Sequence, residues 1–75
     1  MFEKLKEILI SELQIEEDLI TLDASLASDL GVNSLELAEL VLTVEDQLGV
    51  EINEDDLHKF ITVGDVVKYL EEIAK

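Results

Sequence analysis

Apolar positions in the first fourteen residues recur with a helical period. Phe2, Leu5, Leu9 and Leu13 form one stripe with Ile8 beside it, which predicts a helix over residues 2–14. The period is lost over residues 15–33, IEEDLITLDASLASDLGVN, and no strand alternation replaces it. A connection this long inside a small domain is expected to be packed, with Ile15, Leu19, Ile20, Leu22, Leu26 and Leu30 pinning it to the core. Helical segments then follow over residues 34–48, 54–60 and 63–74. Each opens with the same signal, a capping side chain three residues ahead of an acid that can reach back to it: Asn33 with Glu36, Asn53 with Asp56, Thr62 with Asp65. Gly49 supplies a C-cap for the first of them. Val63, Val66, Val67, Leu70 and Ile73 share one face of the last. The pattern predicts an all-α fold, a small four-helix bundle with a long first loop and a short third helix, as a single domain over residues 1–75.

The segment 34–48 carries more apolar surface than one core can take. With about 100° per residue, Leu37, Leu40, Val41, Val44 and Leu48 fall in one sector, an ordinary buried stripe. Leu35, Ala38 and Leu42 fall in a second sector, bordered by Glu45 on one side and by Asp46, Glu39 and Glu36 on the other. A helix in a small bundle cannot bury both, so the second group reads as an exposed apolar strip framed by carboxylates. Such strips mark interaction sites.

Charge narrows the kind of partner. Nineteen acids against five lysines and no arginine give a formal net charge of -14. Phosphate recognition needs a basic footprint, so nucleic acid and anionic membrane surfaces are excluded as natural partners and a basic protein surface is favoured. A hydrophobic content of 48% sets the chain apart from disordered acidic sequences. No apolar run approaches the length of a membrane span, and MFEKLKEILI lacks the uninterrupted apolar stretch of a signal peptide, so a cytoplasmic protein with no membrane insertion is expected. There is no cysteine, hence no disulfide and no thiolate zinc site.

Candidate chemistry converges on Ser34. With Asn33 as N-cap, Ser34 stands at the first helical position and its hydroxyl is free of capping; were Ser34 the cap, Leu37 could not complete a box. A serine nucleophile needs a base held by a third group, and the one histidine, His58, lies far along the chain in DDLHKF. GVNSL is not the G-x-S-x-G elbow and follows no strand. Carboxylates are too abundant for any pair to signal acid–base catalysis, and EINEDD lacks the alternating ligands and glycine of an EF-hand, so neither catalytic residues nor a dedicated metal site is expected. What is left is a hydroxyl at a positively polarised helix N-terminus, a location suited to a phosphodiester.

The stretch DLGVNSLELAELV closely resembles the attachment motif of acyl carrier proteins, D-L-G-x-D-S-L followed by alternating apolar and acidic positions. The resemblance extends to the upstream ASLASDLG, the downstream LGVEINEDD and ITVGDVVKYL, the length and the acidity, and so covers nearly the whole chain. It implies a non-enzymatic, monomeric carrier. Ser34 would receive 4′-phosphopantetheine from coenzyme A through a Mg2+-dependent phosphopantetheinyl transferase, and the arm's thiol would hold acyl groups as thioesters. Partners would be that transferase and acyl-transferring enzymes of fatty-acid or polyketide synthesis with basic docking surfaces. By position, the resemblance makes Leu35, Glu36, Glu39, Leu42, Glu45 and Asp46 the partner-recognition face. It also implies that growing chains are sheltered in the bundle, with Leu40, Val44, Ile52, Leu57, Phe60 and Ile61 as candidate lining. One position departs from the motif: Asn33 replaces the usual aspartate, which keeps the cap but removes a charge beside the serine. A carrier of aminoacyl or peptidyl groups and an unmodified acidic interaction module are the competing readings.

Overall fold

The computed structural model describes residues 1–73, folded within about 28 × 22 × 20 Å. Three α-helices carry the fold: α1 Phe2–Leu13, α2 Ser34–Leu48 and α3 Val63–Ile73. A 3-10 turn, Glu17–Leu19, interrupts the long loop, and a 3-10 helix, Glu54–Lys59, stands where the short third helix was expected. The class is all-α, and among the described residues no strand forms beyond one isolated bridge between Ser25 and Thr62. The expected last residue of α3, Ala74, lies outside the described residues.

α1 packs against both α2 and α3. Leu5 and Leu9 of α1, Leu40 and Val44 of α2, and Val63 and Leu70 of α3 are almost wholly buried, joined by Ile8, Val66 and Val67. Burial of each such side chain is worth about 1.5–3 kcal/mol, and among the described residues no polar or charged residue is buried with them. Ile73 is an exception to the apolar face read for α3: at 37% exposed it has risen past the edge of the core. α1 ends at Leu13 because Gln14 turns left-handed (φ 55°), its N–H bonding to the Ile10 carbonyl.

The long loop is held more by backbone hydrogen bonds than by its leucines. Ile20 and Leu26 are buried, Ile15 and Leu30 pack partly against the core, but Leu19 and Leu22 are about half exposed, contrary to expectation. Ala24 and Val32 take the buried places instead. The reason lies in how the loop is tied to the segment entering α3. Leu26 N–H donates to the Ile61 carbonyl (2.9 Å), Val63 N–H to Ala24 (3.0 Å) and Gly64 N–H to Leu22 (2.8 Å). This pairing fixes which side chains face inward, whatever their hydropathy. Lys6 pairs with Glu17 at 3.1 Å and so links α1 to the 3-10 turn.

Two of the three expected capping boxes form. Asn33 accepts from Glu36 N–H (2.8 Å) while the Glu36 carboxylate accepts from Asn33 N–H (3.2 Å). Thr62 and Asp65 exchange the same pair at 3.2 and 3.0 Å. The box read at Asn53 and Asp56 does not form: Asn53 caps Asp55 N–H at 2.9 Å, and the Asp56 carboxylate turns to the Tyr69 hydroxyl (2.8 Å) and the Lys59 ammonium (3.1 Å). A tertiary partner outcompetes the local one, and the six-residue segment closes on i to i+3 bonds such as Asp56 N–H to Asn53. Phe60 follows it, buried and edge-on to Tyr69 with ring centroids 5.1 Å apart.

Candidate functional site

The N-terminus of α2 is placed by the loop that precedes it. Gly31 takes a left-handed conformation (φ 68°) and Val32, buried, donates to the Leu26 carbonyl at 2.8 Å, so the chain enters Asn33 from a fixed direction. Asn33 is extended (φ -89°, ψ 177°) and caps the helix. Its side-chain oxygen takes the Glu36 N–H and its carbonyl the Leu37 N–H (2.9 Å). Helix geometry leaves the Ser34 and Leu35 amides ahead of them open. Ser34 is exposed at the first position of the helix, with capping done by its neighbour. An exposed hydroxyl, open amides and the positive end of the helix dipole together fit a phosphodiester on this side chain.

Two open grooves lie against α2. One, of about 220 Å³, includes Ser34 itself with Leu26, Val32, Leu37, Phe60 and Ile61. The other, of about 260 Å³, begins one turn further along at Ala38 and runs past Val41, Leu42 and Glu45 to Ile52 and Leu57. The six residues read as a cargo lining therefore do not form one chamber. Leu40 and Val44 are 2% and 1% exposed in the packed core and border neither groove. Ile52 and Leu57 lie on the second groove, Phe60 and Ile61 on the first. Ile61 is 63% exposed, because its carbonyl is paired with Leu26 and its side chain is left at the groove rim.

The outward face of α2 is apolar and acidic. Leu35 and Leu42 are 70% and 66% exposed, the two most exposed large apolar side chains among the described residues, and Ala38 between them is exposed as well. Glu39 and Asp46 point to solvent. The other two acids of the frame are engaged within the chain. Glu36 closes the capping box, and the Glu45 carboxylate accepts the Ile52 N–H at 2.7 Å. That second bond gave no local signal, since it joins residues seven apart across a turn. His58 is exposed on the 3-10 helix.

Away from Ser34, the Tyr69 hydroxyl holds the 3-10 helix to α3. Its hydrogen bond, with that of Lys59, keeps the Asp56 carboxyl below the usual range, and the same bond to Asp56 pushes the Tyr69 phenol up. The backbone N–H of Thr62 does the same for Asp65, helped by that of Ile61.

Among the described residues there is no cluster of histidine or acidic side chains arranged to hold a metal ion. No helix in the described residues is long and apolar enough to cross a membrane.

Comparison with known proteins identifies the family of the whole chain. Residues 3–70 match the family described as a phosphopantetheine attachment site. The acyl carrier proteins of Clostridium perfringens strains SM101, ATCC 13124 and 13 are each 46% identical to the chain over 72 residues, 96% of its length and 95% of theirs. The match covers nearly the whole chain, so the chain belongs to the acyl carrier protein family and its cofactor is a covalently attached 4′-phosphopantetheine.

Proposed function

We propose that Ser34 is the attachment point of the 4′-phosphopantetheine arm, and that the chain acts as a single carrier domain without catalysis of its own. The observation that carries this reading is the division of labour at the start of α2, where Asn33 does the capping and Ser34 stands exposed beside open amides. The arm, when attached, supplies the thiol that a cysteine-free chain lacks. A phosphopantetheinyl transferase and acyl-processing enzymes of fatty-acid or polyketide synthesis approach the outward face of α2. Leu35 and Leu42 give apolar contact there, and Glu36, Glu39, Glu45 and Asp46 give charge toward basic surfaces. Rim charges of this kind act mainly on association rate and its salt dependence. Acyl chains are sheltered along the groove from Ala38 past Ile52 to Leu57 and the groove beside Phe60 and Ile61, with Leu40 and Val44 behind them in the core. The protein works as a monomer in the cytoplasm.

The test is intact mass after incubation with coenzyme A, Mg2+ and a broad-specificity phosphopantetheinyl transferase, beside a Ser34→Ala control. Gain of one phosphopantetheine by the parent alone supports the assignment. No gain by folded parent protein overturns it and favours an unmodified acidic interaction module.

A further inference from the structure

Glu45 occupies two surfaces at once. Its position on α2 places it among the acids that frame Leu42, yet it is only partly exposed, because its carboxylate folds over the helix end to reach Ile52 N–H at 2.7 Å. The same residue's carbonyl accepts from Gly49 N–H, which caps α2, and from Val50 N–H at 3.3 Å. Glu45 thus holds three of the four backbone amides that lead out of α2, two through its carbonyl and one through its side chain. The carbonyl bonds belong to the helix end and survive any substitution. The side-chain bond ties the Ile52 backbone to α2, and Glu51 and Ile52, with Glu54 and Leu57 beyond them, form the far wall of the groove that starts at Ala38. Every charged side chain lining this groove is acidic: Glu45, Glu51 and Glu54. No lysine or histidine on its walls competes for the Glu45 carboxylate.

We propose that Glu45 is a positioning residue that clasps the groove's far wall to α2 through Ile52 N–H, and that a guanidinium from a docking partner releases it. A guanidinium takes a carboxylate side-on through both oxygens. That geometry draws the Glu45 carboxylate outward, and the shared charge weakens what remains of its hold on the amide. Docking on α2 and loosening of the groove's far wall then become one event, carried by a side chain that serves both. The link to cargo release rests on the carrier reading above; the clasp itself does not.

Substitutions at position 45 separate the two roles. Glu45→Gln keeps an oxygen at the same reach and loses the charge. Glu45→Asp keeps the charge and is one methylene too short for Ile52. Hydrogen exchange of the Ile52 amide, measured on unmodified protein, reads the clasp, with the Val67 amide as a core reference. Ile52 protection should persist in Glu45→Gln and fall roughly ten- to hundredfold in Glu45→Asp, the loss of one charge-assisted bond. A short amidated peptide of alternating arginine and leucine, added at low salt, should speed Ile52 exchange in the parent, leave Val67 unchanged, and lose this effect in Glu45→Gln. A purely structural Glu45 would protect Ile52 without answering the peptide. The proposal is overturned by unchanged protection in Glu45→Asp. It is equally overturned if the peptide shifts the Glu39 and Asp46 amides without touching Ile52, or fails to engage α2 at all. Because the protein is unmodified throughout, a negative mass result at Ser34 leaves this test intact, and a failed clasp leaves the Ser34 assignment standing.

Discussion

Asn33 is the residue on which local stability and modification chemistry meet. Its oxygen caps Glu36 N–H at 2.8 Å, a task aspartate performs equally well, so Asn33→Asp should leave the melting temperature nearly unchanged. Asn33→Ala removes the cap and should cost about 1 kcal/mol in denaturant unfolding. The motif's usual aspartate adds a negative charge beside Ser34, so Asn33→Asp is expected to raise the initial rate of phosphopantetheine transfer. An unchanged rate in a stopped time course would show that the charge is not read by the transferase. Tyr69 offers a second measurement at this scale. It is the only tyrosine, and its phenol is pushed up first by the bond to Asp56. The bond therefore favours the fold at and below the ordinary tyrosine range and is lost as pH rises through the folded-state value. Phenolate absorbance should titrate at lower pH in Asp56→Asn than in the parent.

At the scale of elements, the long loop and α3 are joined through a glycine. A Cβ built on Gly64 would stand 2.9 Å from the Leu22 carbonyl oxygen, the same oxygen that Gly64 N–H bonds at 2.8 Å. Backbone cannot swing aside as a side chain would, so Gly64→Ala must open the loop–helix junction. We expect a loss of about 1–3 kcal/mol by urea denaturation, and wild-type stability in that variant would show the junction to be pliant. Gly31 meets nothing within 4 Å and is required by its positive φ alone. Sequence periodicity captured α1, α2 and α3 well because each presents a buried stripe to one core. It overstated the 3-10 helix, where the expected Asn53–Asp56 box yielded to Tyr69, sixteen and thirteen residues away. It also placed Leu19 and Leu22 inside, where the 3-10 turn Glu17–Leu19 leaves Leu19 outward and backbone pairing with Gly64 does the same for Leu22.

For the whole molecule, a net charge of -14 on 75 residues sets up repulsion that a small core must overcome. Added Mg2+ or salt should raise the melting temperature by screening, and acidification from neutral toward the carboxylate range should do the same as surface charge falls. Asp56 and Asp65 work the other way. Their folded-state values are lowered, so the stability they contribute is present above the ordinary aspartate range and is lost as pH falls through those lowered values. The melting temperature should therefore pass through a maximum on the acid side and then drop. Calorimetry of the double variant Asp56→Asn, Asp65→Asn should show a flatter acid limb; an identical limb would remove these two residues from the account.

The sequence by itself determined the helical class, the buried stripes of α1, α2 and α3, the caps at Asn33 and Thr62, and the singling out of Ser34. All of these follow from side chains acting within a few residues of one another, where hydropathy period and capping chemistry are sufficient. The exposed strip of Leu35, Ala38 and Leu42 followed from the same arithmetic, since a helix in a thin bundle has only one face to bury. Tertiary structure alone decided which loop leucines face outward, that the third helical segment winds as 3-10, and that the residues expected to line one pocket divide between two grooves and the core. It alone joined the Glu45 carboxylate, within the acidic frame, to Ile52 N–H. Those outcomes depend on which distant backbone amide or hydroxyl lies within hydrogen-bond reach, and that is a property of the folded arrangement that no local spacing encodes.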